Sequence, residues 1–129
     1  AIWSDDDWAL VPVREHGLPA VILLEPREHV DFSELPARLA AQLGPMLLRV
    51  ERALMQIPDI GRVHIGKWGE GSYHAHIWFF ARPARMPQLE GSFALVWYDI
   101  LPPLPPELLA ENHGIVARAM AADGGVAHL

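Results

Sequence analysis

The sequence predicts an α+β fold: an antiparallel sheet of at least four strands packed against one long helix, with a C-terminal helical segment. Three observations carry that expectation. Apolar or alternating runs bounded by Pro and Gly fall at residues 8–13, 20–25, 62–68 and 72–80. Between the second and third runs, Leu39, Leu43, Met46, Leu47, Val50, Leu54 and Ile57 recur at three- and four-residue steps, the apolar stripe of an amphipathic helix. A stiff proline-rich stretch at 101–106 then precedes a segment of helix-forming composition at 107–121.

Taken in order, Asp5-Asp6-Asp7 reads as a solvated turn in an acidic opening. Residues 8–13 form a first strand, which Pro12 places at an edge or ends early. Residues 20–25 are apolar on both faces, which predicts a central strand paired with the first as an antiparallel hairpin. Asp31, Ser33 and Glu34 supply capping oxygens and negative charge at the helix start, and Pro36 suits its first turn. Gly44-Pro45 predicts a kink rather than a break, because the stripe keeps phase through it. Pro58 to Gly61 stops the helix. Residues 62–68 alternate, and a loop at 69–71 delivers the chain to an antiparallel partner strand at 72–80. Residues 92–98 read as a short helix or irregular packed segment, with Trp97 and Tyr98 in the core. The last helix is expected to bury Leu108, Leu109, Ile115, Val116 and Met120, and Gly114 weakens it. Asp123-Gly124-Gly125 begins a tail.

With 129 residues, 51% of them hydrophobic, the chain fits a single domain over residues 1–129. A net charge of −6 disfavours broad electrostatic binding to nucleic acid or to an anionic membrane, so any phosphate must be held locally. The absence of cysteine excludes disulfide and thiolate chemistry and suits a cytoplasmic location. No apolar run is long enough for a transmembrane helix, no signal-peptide pattern opens the chain, and neither a Walker loop nor a dinucleotide-binding glycine fingerprint is present.

The chemistry centres on Ser72-Tyr73-His74-Ala75-His76-Ile77-Trp78-Phe79-Phe80. In a continuous strand, His74, His76, Trp78 and Phe80 share one face. Three readings follow. The imidazoles are hydrogen-bonded structural groups; or they ligate a metal together with His29 or His64; or one is a nucleophile whose neighbours fix its tautomer. No Asp or Glu lies between His74 and Glu90 to complete a metal set, and neither a metal nor a cofactor is assigned. His16, His113 and His128 have no partner motif.

Two elements in sequence order sharpen this choice. Glu25-Pro26-Arg27-Glu28-His29-Val30 follows the second strand, and the His-x-His run follows the helix, the third strand and a glycine-rich turn. The order resembles the histidine-triad (HIT) family of nucleotidyl hydrolases and transferases. That family carries Pro-Lys/Arg-x-His-φ and later His-φ-His-φ-His-φ-φ, where φ is apolar. The resemblance covers residues 8–83 and leaves 84–129 as a C-terminal extension. It implies that His76, the middle histidine, attacks the α-phosphate of a nucleotide and forms a covalent nucleotidyl-histidine. It implies also that His74 orients the nucleophile in a network with His29, and that Ser72 holds the phosphate or leaving group. Backbone N–H groups of the glycine loop at Gly71, with Lys67 or Arg82, are candidates to stabilise the phosphoryl charge. Trp78 stands where most of the family has its third histidine. The galactose-1-phosphate uridylyltransferase branch carries glutamine there. An indole does no acid–base chemistry near neutral pH, so Trp78 fills the phosphate pocket, stacks on a base or sugar, or packs. The sequence therefore supports a HIT-type nucleotidyl hydrolase or transferase, with a catalytically weakened nucleotide-binding or interaction domain as the alternative. The resemblance also implies a homodimer, a small-molecule nucleotide ligand, and no nucleic-acid or membrane partner.

Overall fold

A computed structural model describes every residue except Ser72. Its strands are β1 (Trp3–Ser4), β2 (Trp8–Pro12), β3 (Ala20–Pro26), β4 (Ile60–Gly66), β5 (Ile77–Pro83) and β6 (Val126–Ala127); its helices are α1 (Ala37–Leu54), α2 (Phe93–Trp97) and α3 (Pro106–Ala121). The strands form one antiparallel sheet in the order β4-β5-β3-β2-β1-β6. Doubly apolar β3 lies inside it, as its composition requires, hydrogen-bonded to β2 on one side and β5 on the other.

One face of the sheet carries the main core. There α1 buries Leu39, Met46, Val50 and Leu54, and α3 buries Val116, Ala117 and Met120, against Ile22, Leu24, Ile77 and Phe79. Helix α1 continues through Pro45 without interruption, and its N-cap position is Pro36 with no side-chain cap. Asp31, expected to cap this helix, instead accepts from the Phe32 N–H at 2.8 Å and caps a separate 3-10 turn. On α3 the inward stripe is displaced from the expected one. Leu108 is exposed and Ile115 half-buried, while Asn112 and His113 point inward. The Asn112 amide Nδ2 donates to the buried Pro19 carbonyl at 2.9 Å, which lets a polar side chain occupy an interior position.

The opposite face holds a smaller cluster of Leu18, Val21, Phe80, Leu89 and Ala94, covered in part by α2. Tyr98 packs here, but Trp97, expected in the core, is 46% exposed.

Three further expectations are corrected. The solvated opening and the tail contain the paired strands β1 and β6, which extend the sheet to six strands. Trp3 drives this: its ring is fully buried, Nε1 donates to the Gly124 carbonyl at 2.9 Å, and the Arg49 guanidinium lies 4.8 Å above it. The hairpin loop is longer than residues 69–71, because β4 ends at Gly66 and β5 starts at Ile77. His74 and His76 therefore precede the strand instead of lying on it. The reason is a competing backbone partner: the Ala75 N–H donates to the Val30 carbonyl at 2.8 Å, drawing this segment against the stretch after β3. Among the described residues, no helix is long and apolar enough to cross a membrane.

Candidate active site

The site forms where β3 and β5 leave the sheet side by side. Their last pair here is Leu24 with Ile77, so the next residue beyond Leu24 is Glu25 and the one before Ile77 is His76. These two side chains meet, with His76 Nε2 3.0 Å from Glu25 Oε2, both half-buried. Beyond Glu25, the Pro26 carbonyl accepts from His74 Nε2 at 2.5 Å. That bond and the Ala75–Val30 bond pin the His-x-His segment to residues 26–30 and bring His29 alongside. The His29 and His74 rings meet edge-on at 5.0 Å between centroids, and the His74 and His76 rings lie 5.5 Å apart. All three histidines expected to be catalytic are thus brought together in a row, with His29 exposed at the outer end.

Glu25 was not expected in the site. No carboxylate follows His76 closely in the sequence, and the partner arrives from upstream through strand pairing. The signal was available in the sequence as a charged residue closing an otherwise apolar central strand.

The predicted substrate-binding residues fare differently. Ser72 lies outside the described residues. Gly71 is exposed, with a φ of 77° that favours glycine. The Lys67 ammonium lies 5.2 Å from the centre of the Phe32 ring, on the turn just after His29. Arg82 is not brought to the histidines. It sits near the far end of β5, about 20 Å along a strand rising ~3.3 Å per residue, and its Nη1 donates to the Pro83 carbonyl. His64 pairs across from Phe80 on β4, with burial and the nearby Arg82 and Arg62 lowering its pKa.

Trp78 continues the His76 face into an aromatic cluster. Its ring stacks on Phe80 at 5.7 Å and meets Tyr98 edge-on at 6.2 Å. Trp68, not singled out from sequence, folds back over Gly66 and meets Trp78 at 6.2 Å and Phe80 at 6.0 Å. Only glycine permits that return, since a Cβ at position 66 would stand 2.5 Å from the Trp68 ring. Trp68, Glu70, Trp78, Phe80, Leu95 and Tyr98 line a cavity of about 240 Å³. Burial, with Asp99 nearby, raises the Tyr98 pKa, so its hydroxyl stays protonated at neutral pH.

An antiparallel sheet with a row of imidazoles at one end of its central pair is the architecture of histidine-triad proteins, and the chain has that fold. A histidine triad protein from Bradyrhizobium japonicum superposes with a TM-score of 0.70 at 21% identity, over 92% of this chain and 88% of that one. A HIT-like protein from Bartonella henselae, solved with an unknown ligand, gives 0.68 at 14% identity over 92% and 84%. A hypothetical histidine triad nucleotide-binding protein from Sulfolobus tokodaii gives 0.68 at 13% identity over 94% and 83%. No protein-family model and no curated protein sequence matches the chain.

Proposed function

We propose that the protein is a cytoplasmic nucleotidyl hydrolase or transferase acting at the α-phosphate of a nucleotide, with His76 as the nucleophile. The observation that carries this reading is the row His29–His74–His76, closed by Glu25 against His76 Nε2, on a histidine-triad fold. The Sulfolobus neighbour's description as nucleotide-binding agrees with it.

The chemistry follows from the imidazole. One ring nitrogen offers its lone pair to phosphorus, while the other keeps its proton toward Glu25. A phosphorus–nitrogen bond forms, and the bond to the leaving group breaks with its electron pair going to that group. The carboxylate 3.0 Å away stabilises the positive charge that develops on the ring. Water or another acceptor then attacks phosphorus, the phosphorus–nitrogen bond breaks, and the lone pair returns to His76. His74, held by the Pro26 carbonyl, keeps the neighbouring ring in place. Trp78 cannot protonate a leaving group, so the reading favours leaving groups that depart without a general acid from that position. The aromatic cavity beside it is a surface on which a base or sugar stacks. A pair of copies is part of the same reading, and light scattering in solution tests it.

One observation favours the weaker alternative. Trp78 is packed among Trp68, Phe80 and Tyr98, where a mobile acid–base group would be needed. In that reading the domain binds nucleotides without turning them over. Release of nucleoside monophosphate from a panel of nucleoside phosphoramidates, dinucleoside polyphosphates and nucleotide sugars separates the two. The proposed reading expects turnover by the wild type that falls by about 10³-fold or more in His76→Ala. Retained nucleotide binding with no release by the wild type establishes the binding domain instead.

A further inference from the structure

The cavity beyond Trp78 combines aromatic walls with a carboxylate. Trp68, Trp78, Phe80 and Tyr98 line it together with Leu95 and one ionised side chain, Glu70. We propose that this cavity is an aromatic cage for an organic cation of the quaternary-ammonium class, the trimethylammonium headgroup of a choline-like ion or of a trimethylated lysine.

The rings are set as a cage requires. Trp78 and Phe80 lie nearly parallel, 11° apart, because alternate residues of β5 put both on one face. Trp68 stands at 87° and 84° to them, with centroids 6.2 and 6.0 Å away. Tyr98 stands at 64° and 68°, with centroids 6.2 and 5.2 Å away. A cation is attracted to a ring face within ~6 Å of its centroid, so a corner built at this spacing offers one ion more than one ring. The volume of about 240 Å³ exceeds the ~150 Å³ that admits benzene, which leaves room for a trimethylammonium group and part of its stem.

The charge lining the cavity has one sign. Ring faces are electron-rich. Glu70 is exposed and has no ion-pair partner among the described residues. Asp99 adds a second negative charge beside Tyr98, whose pKa it helps to raise. No Lys or Arg belongs to the lining: the Lys67 ammonium lies over Phe32, and Arg82 donates to the Pro83 carbonyl. These charges disfavour phosphate here and favour a cation, and the net charge of −6 acts in the same direction. A quaternary ion has no N–H, so it loses no hydrogen bonds on entering walls that offer few acceptors. A primary ammonium would leave donors unsatisfied there.

Trp68 is the side chain that turns a stacking platform into a cage. It belongs to neither buried apolar cluster and is 49% exposed, so the core gains little from it. Its return over Gly66, where a Cβ would stand 2.5 Å from the ring, nonetheless gives the cavity a further wall. A base stacking on the same rings excludes the ion. In the nucleotidyl-transfer reading the ion is therefore a competitive ligand, but its binding does not rest on that reading.

The test is calorimetric titration of the wild type with choline and with a trimethyl-lysine peptide, each beside an uncharged counterpart. The counterparts are choline's analogue with carbon in place of nitrogen and the same peptide carrying acetyl-lysine. The cage expects saturable binding of at least one trimethylammonium ligand at or below about 10 mM, about 10-fold or more tighter than its counterpart. The tighter of the two cations names the source of the headgroup. Glu70→Gln removes the lining charge, Trp68→Leu removes a wall, and Gly66→Ala displaces that wall without altering any lining group. Each should weaken binding by about 5-fold or more, while Trp97→Leu, outside the lining, leaves it unchanged. Equal affinity for a cation and its uncharged counterpart overturns the cage, as does unchanged binding in both Trp68→Leu and Gly66→Ala, or no saturable binding of either cation. Trp68 and Glu70 are exposed, so their substitution leaves the buried core intact. No nucleotide and no turnover enter this assay, so its failure and that of the nucleotidyl-transfer reading are told apart.

Discussion

Acid destabilisation through His113 follows directly from its surroundings. The side chain sits on the buried face of α3 at 4% exposure, and its Nε2 has no hydrogen-bond partner among the described residues. Burial, then the positive Arg14, with a smaller contribution from His16, push its pKa from 6.5 down to about 4. His16 is also depressed by burial, with its Nε2–H donating to the Val13 carbonyl and the Leu18 N–H donating to its Nδ1. The unfolded chain takes up a proton at position 113 near pH 6.5, whereas the folded chain resists until about pH 4. Stability is therefore fully present above pH 6.5 and is lost as pH falls toward 4. Integrated to about pH 4.5, this one group removes about 2.5 kcal/mol, a large share of the ~5–15 kcal/mol typical of a domain. His113→Leu keeps an apolar group of similar size and cannot titrate. Urea unfolding near neutrality and at about pH 4.5 should show the wild type losing ~2.5 kcal/mol more than the variant. Equal losses in the two proteins would refute the assignment, because His16 and the carboxylates titrate in both.

Two further outcomes rest on other parts of the molecule. Trp78→Ala removes the ring that stacks on Phe80, and nucleotide affinity by equilibrium dialysis should fall by about 10–100-fold, the range for loss of one base-stacking aromatic; unchanged affinity would place the nucleotide elsewhere. Arg49→Ala deletes hydrogen bonds from Nη2 to the Met120 and Gly124 carbonyls and the cation–π contact with Trp3. Chemical denaturation should show a loss of about 2 kcal/mol, and a loss below ~0.5 kcal/mol would show that solvent replaces these contacts.

The parts of the fold legible in the sequence were those set by local pattern. The doubly apolar run at 20–25 became the inner strand β3, and the stripe from Leu39 to Leu54 became the inner face of α1. The candidate histidines were legible for the same reason, because two short elements in order name His29, His74 and His76. What local pattern did not reveal was set by distant partners. Trp3 and Ala127 pair only once both ends of the chain reach the sheet edge, and two-residue strands leave no periodicity to detect. Glu25 faces His76 because of the β3–β5 register, which a one-residue slip would reverse. The strand was expected to begin at residue 72 because the run is aromatic and β-branched. Propensity alone does not report that the Ala75 N–H bonds to Val30, which ends the ladder at Ile77.

Trp68 and Trp78 meet nearly at right angles, with interplanar angle 87°, and both line the aromatic cavity. Of the other three indoles, Trp3 and Trp8 are sealed in the core and Trp97, 46% exposed, is not among the residues lining the cavity. Any molecule entering the cavity must therefore change the surroundings of the two indoles that line it. The protein thus carries its own optical reporter: occupancy of the site beside His76 should register as a change in intrinsic fluorescence and in the coupled near-ultraviolet dichroism of that pair, without a label and without a known substrate.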